Sequence, residues 1–152
     1  MEEILVNSIY LIGSLRNDKI IEIGNEIRKL GIEAFDNWIA AGPEADDYWK
    51  AYHKHRGQSY AQALQSYEAR HIFEFDKHHL DRCTRAVLIL PAGRSAHLEL
   101  GYMAGLGKPT YVLFPDGEPD ERFDVMYQFA SGGVFFSVKE FIKELGILNA
   151  VH

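Results

Sequence analysis

Short apolar runs alternate along this sequence with amphipathic stretches in which apolar residues recur three or four positions apart. The first run, residues 8–13, is followed by a stretch whose apolar positions are Ile20, Ile23, Ile27 and Leu30. Further strand-like runs lie at residues 32–35, 85–90, 110–114 and 134–136. Because strands that are separated by helices pair in parallel, the alternation predicts an α/β fold, a three-layer sandwich on a five-stranded parallel sheet of flavodoxin-like or Rossmann-like order.

The segments between these runs predict the remaining elements. We expect helices at residues 59–82, 95–106 and 138–145, a short helix at 123–129, and Asn17 or Asp18 as the cap of the first helix. Residues 36–58 are polar and aromatic, with a Gly42-Pro43 turn, and are interpreted as a lid or substrate loop. With 152 residues, 47% of them hydrophobic, the chain predicts a single domain, 1–152.

Charge and cysteine content narrow the class of protein. The net charge is -6 and the lysines and arginines are scattered, so a polynucleotide is not an expected partner. Cys83 is the single cysteine, which excludes a disulfide within the chain and fits a reducing compartment. The N-terminus is acidic, and no apolar run approaches the ~18 residues of a spanning helix. We therefore expect a cytoplasmic protein that does not bind a membrane.

A doubly wound sheet binds its ligand at the carboxyl ends of its strands, beside the switch in strand order. Here that position follows the first and third runs, at Gly13-Ser14-Leu15-Arg16 and Gly93-Arg94-Ser95. Neither turn matches the phosphate loop G-x-x-x-x-G-K-[ST] or the dinucleotide pattern G-x-G-x-x-G, so no ATP or NAD site and no cofactor is expected. Glu99 lies about one turn into the next helix, which makes it a carboxylate at the predicted ligand edge.

Two histidine pairs invite a metal interpretation. They are His53 with His55, and His78 with His79. No H-E-x-x-H motif or cysteine pair accompanies them, so no metal site is predicted. The aromatic and basic residues around the first pair fit either a wall that closes over a ligand or a contact between subunits.

Three motifs in order carry a resemblance to a known family. They are I-Y-L-I-G at 9–13, Asp76 ahead of the third run, and E-L-G-Y at 99–102 before G-K-P at 107–109. In combination and spacing they resemble the nucleoside 2-deoxyribosyltransferase family, which also contains N-glycosidases that hydrolyse nucleoside 5′-monophosphates. The resemblance spans residues 8–136.

The resemblance implies roles for three residues. Glu99 would be the nucleophile that attacks C1′ of the sugar, and Asp76 the acid that protonates the departing base. Tyr10 would orient the nucleophile through its hydroxyl. Two carboxylates in one pocket repel, which would raise the pKa of one of them. The alternatives are a surface Glu99, a solvated Asp76 and a core tyrosine satisfied elsewhere.

The resemblance also implies substrate contacts. Asp36 and Trp38 would meet the base, with core packing as the alternative for Trp38. Gly13, Ser14 and Arg16 resemble the G-S-[IL]-R turn that holds a 5′-phosphate in the monophosphate glycosidases, and Ser95 could add a hydroxyl.

Asp124 and Gly93 depart from the family pattern. The transferases have an asparagine that reaches the sugar 5′-hydroxyl from a neighbouring subunit where this chain has Asp124, with Met126 beside it, and the hydrolases have a serine. A carboxylate there would repel a phosphate but accept a hydrogen bond from a hydroxyl, although Asp124 also fits a helix cap. Gly93 stands where the transferases often have a carboxylate that holds the base, which leaves base selectivity open.

These observations favour a nucleoside 2-deoxyribosyltransferase-like enzyme that forms a covalent glycosyl-Glu99 intermediate and passes the sugar to another base or to water. The first alternative is a nucleoside 5′-monophosphate N-glycosidase that uses Ser14 and Arg16 for the phosphate. The second is a non-catalytic nucleotide sensor. Expected partners are a nucleoside or nucleotide, a free nucleobase, and further copies of the chain in a homodimer or larger assembly with shared active sites. Ribose or 2′-deoxyribose, and purine or pyrimidine, stay open.

Overall fold

A computed structural model describes residues 7–151, with side chains as far as residue 149. Its centre is a sheet of five parallel strands in the order β2-β1-β3-β4-β5. The strands are β1 (Ser8–Ile12), β2 (Glu33–Phe35), β3 (Arg85–Ile89), β4 (Thr110–Leu113) and β5 (Gly133–Phe135). The predicted α/β sandwich of flavodoxin-like order is confirmed, and the order switches between β1 and β3.

Helices cover both faces of the sheet. They are α1 (Ile20–Arg28), α2 (Ala45–His55), α3 (Tyr60–Leu64), α4 (Tyr67–Arg82), α5 (Arg94–Gly105) and α6 (Val138–Val151), with 3-10 helices at Asn37–Ala41 and Val125–Phe129. Every residue of β1 is buried, as the continuous apolar run requires of a strand covered on both sides. From residue 7 to residue 151, no helix is long and apolar enough to cross a membrane.

Alternation along β1 divides the core into two clusters. Ile9 and Leu11 face the cluster that contains Ile27 of α1 and Phe141 of α6. Tyr10 and Ile12 face the opposite cluster, which contains Leu80 of α4 and the residues Leu100 and Met103 of α5. The side chain of Tyr10 therefore lies on the same side of the sheet as α4 and α5.

Residues 36–58 differ from the predicted loop, because most of them are helical. Gly42 ends the first 3-10 helix, and α2 begins at Ala45 with Asp46 and Asp47 in its first turn. Its last turn is basic, with His53, Lys54 and His55. Acidic residues at the start and basic residues at the end complement the helix dipole, so the charge order of the segment favours a helix.

The predicted helix at residues 59–82 is two helices, α3 and α4. Ser59 begins α3 with a capping box that it forms with Gln62. Ser66 begins α4, and its hydroxyl accepts a hydrogen bond from the backbone amide of Ala69. The second cap, Ser66, therefore begins a new helix two residues after the first one ends at Leu64.

Smaller differences affect the ends of elements. Asn17 precedes α1 but does not cap it, since its side chain accepts from the amide of Lys19 and the helix begins at Ile20. Asp124 caps the second 3-10 helix by accepting from the amide of Met126, at 2.8 Å. The last helix, α6, continues to Val151 rather than ending at residue 145.

Candidate functional site

A cavity of about 720 Å³ opens at the carboxyl ends of β1 and β3, at the switch in strand order. Such a volume is typical of a small-molecule site. Its walls come from the turns after β1 and β3, from the 3-10 helix and α2, and from α4 and α5. The lining residues are Tyr10, Gly13, Ser14, Leu15, Asn37, Trp38, Ala41, Asp46, Trp49, His71, Ile72, Phe75, Asp76, Gly93, Arg94, Ser95, Ala96 and Glu99.

Glu99 enters the cavity from the second turn of α5. Gly93, in extended conformation, precedes the helix, and Ala96, Leu100 and Met103 fix its buried face. That packing leaves Glu99 half-buried at the cavity wall. Burial, and then the nearby charge of Asp76, raise the pKa of Glu99 to about 8.

Asp76 enters the same cavity from α4, whose C-terminal part is anchored by buried Leu80. Burial raises the pKa of Asp76 to about 6. Tyr10 reaches the cavity from β1 and packs on Phe35, with ring centroids 5.0 Å apart. Burial, with the charges of Glu99 and Asp76, raises the pKa of the Tyr10 hydroxyl. The three residues with predicted catalytic roles therefore line one cavity.

The two carboxyl groups bind protons in an order that the sequence does not predict. With a pKa of about 8 for Glu99 and about 6 for Asp76, the pair holds one proton near neutral pH, and the deeper burial of Glu99 favours that carboxyl group as the one protonated in the ligand-free site. The roles that the resemblance implies need the opposite arrangement, in which Glu99 is ionised as the nucleophile and Asp76 is protonated as the acid. Positive charge that develops next to Glu99 would favour its ionised form and move the proton in that direction.

The turns after β1 and β3 contribute part of what the sequence predicts. Gly13, Ser14, Gly93 and Ser95 line the cavity, as does the α5 N-terminus. Arg16 does not line it. Its guanidinium lies 3.2 Å from the Asp47 carboxylate, and both side chains are exposed.

The residues predicted to meet the base separate in the structure. Trp38 lines the cavity, and its indole N–H donates to the carbonyl of Leu11 at 2.7 Å, so one edge of the ring is fixed. Asp36 is buried outside the cavity and pairs with Arg28 of α1 at 2.8 Å. The predicted base contact of Asp36 does not fit this structure, because its carboxylate forms an ion pair with Arg28 of α1 and lies outside the cavity.

Asp124 and Met126 lie outside the cavity of their own chain. Asp124 serves as the helix cap that was its alternative role, and Met126 is exposed. A role for either residue at a cavity would require a second copy of the chain, as the family resemblance implies.

Ile72, Phe75 and His71 line the cavity but were not predicted, whereas Trp49 belongs to the aromatic residues expected either to close over a ligand or to contact another subunit, and Arg94 to the turn expected at the ligand edge. Trp49, Phe75, Ile72 and His71 supply much of the aromatic and apolar wall, and Arg94 begins α5 at the cavity edge. Ile72 could have been predicted as a lining residue from helical spacing, because it precedes Asp76 by four residues and therefore lies on the same face of α4.

The histidine pairs have partners of other kinds. His53 lies 2.6 Å from the side chain of Gln58, and His79 stacks on Phe35 with ring centroids 4.0 Å apart. Among the residues that the structure describes, no three His, Cys, Asp or Glu side chains come together as a metal site.

In comparison with known proteins, no family model matches this chain, and no curated protein matches it. The family resemblance therefore rests on the motifs in the sequence.

Proposed function

We propose that the protein is a nucleoside 2-deoxyribosyltransferase-like enzyme, which cleaves the N-glycosidic bond of a (deoxy)ribonucleoside and transfers the sugar to another base or to water. The observation that carries this proposal is the shared cavity of Glu99, Asp76 and Tyr10, in which both carboxyl pKa values are raised. A glycosidase-type double displacement uses two carboxyl groups that hold one proton between them, one as the nucleophile and one as the proton donor.

In the first step, a Glu99 carboxylate oxygen attacks C1′ as the bond between C1′ and the base nitrogen breaks. The bonding electron pair leaves with the base, and Asp76 protonates it. Tyr10 would orient Glu99 from β1. The result is a glycosyl ester on Glu99 and an ionised Asp76.

In the second step, a nitrogen of an incoming base or a water oxygen attacks C1′ and releases the Glu99 carboxylate. Asp76 takes the proton of the incoming group, so both carboxyl groups return to their starting states. Each step inverts C1′, and the overall reaction retains its configuration. The aromatic side chains of Trp38, Trp49 and Phe75 would hold the base beside the carboxyl pair.

A nucleoside 5′-monophosphate N-glycosidase is the second candidate. It is favoured by the backbone of Gly13 and Gly93, the hydroxyls of Ser14 and Ser95, and the α5 N-terminus, which all border the cavity. Against it, Arg16 is paired with Asp47, and phosphate binding would have to break that ion pair. The same two carboxyl groups would act, with water as the acceptor.

The test is to incubate the protein with 2′-deoxyinosine and with a deoxynucleoside 5′-monophosphate, each with and without a second free base. Base exchange supports the transferase, and release of base from the phosphorylated compound alone supports the hydrolase. Glu99→Ala should abolish either reaction, whereas Glu74→Ala, an exposed glutamate on α4, should not. Equal background release from wild type and Glu99→Ala across a nucleoside panel would exclude both enzymes and leave the nucleotide sensor.

A trapped intermediate assigns the two carboxyl groups. A 2′-fluoro nucleoside slows both steps, and mass spectrometry of the digested protein locates the sugar ester. The proposal expects the ester on the peptide that contains Glu99. An ester on the peptide that contains Asp76 would exchange the roles, in agreement with the proton order of the ligand-free site.

A further inference from the structure

A second cavity of about 360 Å³ adjoins the carboxylate cavity. Three residues, Asp46, Trp49 and Ile72, line both cavities and form the wall between them. Glu99 and Asp76 line the first cavity and not the second. The two spaces are therefore neighbours, with the carboxyl pair at one end of the combined groove.

The direction of the groove follows from the spacing of residues along α4. Asp76 faces the first cavity, Ile72 faces both, and Ala69 faces the second. These positions are separated by four and then three residues, so they form one row on the helix. At 1.5 Å per residue, the second cavity begins at Ile72, about 6 Å from Asp76 along the row, and Ala69 lies about 10 Å from Asp76.

The opposite wall repeats this arrangement in reverse chain direction. On α2, Asp46 and Trp49 border both cavities and His53 borders the second only. A ligand whose C1′ lies at Glu99 and whose sugar lies toward the turns after β1 and β3 extends its base toward this shared wall. Whatever is attached to the far edge of the base then points into the second cavity.

The second cavity is chemically unlike the first. Most of its surface comes from Trp49, Tyr60, Ala63, Leu64, Ala69 and Ile72. Its polar side chains are largely engaged, since the His53 ring lies 2.6 Å from the Gln58 side chain, and hydrogen bonding with its own backbone amide and with Ser66 lowers the pKa of the Glu68 carboxyl. Asp46 and Glu68 at its border would repel an anion. An uncharged apolar group fits this lining better than a second sugar or a phosphate.

We infer that the second cavity binds an apolar substituent on the nucleobase, so that the preferred substrate carries an aliphatic or aromatic group on the exocyclic nitrogen of its base. The inference rests on the proposed function for the orientation of the substrate. It adds a specificity determinant, the groove between α2, α3 and α4, which is separate from the carboxyl pair.

Binding of free bases to the full chain tests the inference without turnover. Isothermal titration compares adenine with N6-benzyladenine, and cytosine with N4-benzylcytosine. For the base class that the enzyme takes, the benzyl derivative should bind about tenfold more tightly, because a buried hydrocarbon group is worth one to two orders of magnitude in specificity. Absence of a gain in both pairs would overturn the inference.

Matched leucine substitutions at alanine positions test whether the second cavity is responsible for the tighter binding of the benzyl derivatives. Ala63→Leu fills the second cavity from α3 and should remove the benzyl preference, while Ala61→Leu, on the exposed part of the same helix and outside the cavity, should keep it. Ala69→Leu fills the cavity from α4 and serves if Ala63→Leu does not fold. A benzyl preference that survives in a folded cavity-filling variant would place the substituent elsewhere. If a cavity-filling variant changes the molecular mass of the protein in solution but not its binding of the benzyl bases, the groove is a contact between copies of the chain and the inference fails.

Turnover separates this inference from the proposed function. If wild type releases base from 2′-deoxyadenosine or 2′-deoxycytidine in a Glu99-dependent reaction but shows no preference for the benzyl analogues, the inference fails and the function stands. If the benzyl bases bind more tightly in an Ala63-dependent manner but no Glu99-dependent release occurs, the cavity stands as a base-recognition site and the enzymatic proposal fails.

Discussion

At the scale of single residues, the shared proton of Glu99 and Asp76 is the feature with the largest consequences. The cavity lining contains two basic side chains, Arg94 and His71. Burial raises the pKa of the Glu99 carboxyl and of the Asp76 carboxyl. Between their two pKa values the pair is singly protonated. A double displacement needs this state, because it requires one ionised carboxylate and one proton donor.

The pH dependence of kcat/KM should therefore be bell-shaped. Below about pH 6 both carboxyl groups are protonated and no nucleophile is present, and above about pH 8 both are ionised and no acid is present. The maximum is expected near pH 7. Initial rates of base release across pH 4.5–9.5 measure the profile, and a rate that stays flat through both limbs would separate the carboxyl pair from the chemistry.

Glu99 should also make the fold less stable as the pH rises. Its pKa is raised from 4.5 to about 8 by folding, so the native state holds a proton that the unfolded state has lost across this window, and stability falls as the pH increases through it. Glu99→Gln removes the penalty. We expect its Tm to match wild type near pH 4 and to exceed it by several degrees at pH 9, since about 1 kcal/mol corresponds to ~2–4 °C in a chain of this size.

Thermal melts at both pH values check this expectation. Glu74→Gln, at an exposed position of α4, is the control and should shift the Tm equally at both pH values. A Glu99→Gln variant that is no more stable at pH 9 than wild type would mean that the carboxyl group is better solvated than its position in the cavity indicates.

The turns that directly follow the strands could be placed at the site from the sequence, whereas ion pairs between a strand end and a helix could not be predicted. Gly13, Ser14, Gly93 and Ser95 line the cavity because parallel strands end at one edge of a sheet. Asp36 also follows a strand, but its partner Arg28 lies on α1, and only the docking of α1 brings the two charges together.

At the scale of elements, the strands were predicted to within one or two residues, because strands buried on both faces appear as continuous apolar runs. The layer formed by α2, α3 and α4 was predicted least well. Its helices have few buried residues, with Ala45 in α2 and Leu80 in α4, so hydrophobic periodicity is weak there and caps set the boundaries. That layer also forms most of the wall of the second cavity.

The turn between the second 3-10 helix and β5 tolerates no side chain at Gly132. A Cβ there would collide with the Tyr111 ring and lie 2.8 Å from the Thr110 carbonyl, and the Gly132 amide already donates to that carbonyl at 2.7 Å. Gly132→Ala should cost about 3 kcal/mol through overpacking of the β4–β5 edge. Urea denaturation measures the loss.

Gly101→Ala is the matched control. Gly101 lies within α5, and a Cβ there meets nothing within 4 Å in the part of the chain that the structure describes, so the substitution should leave stability unchanged or raise it by about 0.5–1 kcal/mol. Gly105 is equally open, so the G-x-x-x-G spacing of α5 serves no close helix contact among residues 7–151. Equal stability of the two alanine variants would contradict the described turn.

At the scale of the whole molecule, an apolar surface surrounds Asp124. Phe123, Met126 and Phe129 are exposed, by 83%, 59% and 67% of their surface. Large exposed side chains that cluster in this way are typical of protein contacts. Because Asp124 lies outside the cavity of its own chain, a contact between copies through this surface is the arrangement in which it would reach a cavity.

Complementation between two inactive variants tests whether the site is shared. Glu99→Gln lacks the nucleophile, and Asp124→Ala lacks the side chain that a partner would supply. In a dimer with exchanged residues, half of the mixed chains form heterodimers, and each heterodimer has one intact site and one doubly altered site. Co-expression in equal amounts should therefore restore about a quarter of wild-type activity, because closed twofold symmetry places each Asp124 beside the other chain's Glu99.

Asp124→Asn is the control for the fold, since asparagine also caps a helix. If Asp124 acts within its own chain or has no role at the site, the mixture will give no more than half the activity of Asp124→Ala alone, and the shared site would be excluded.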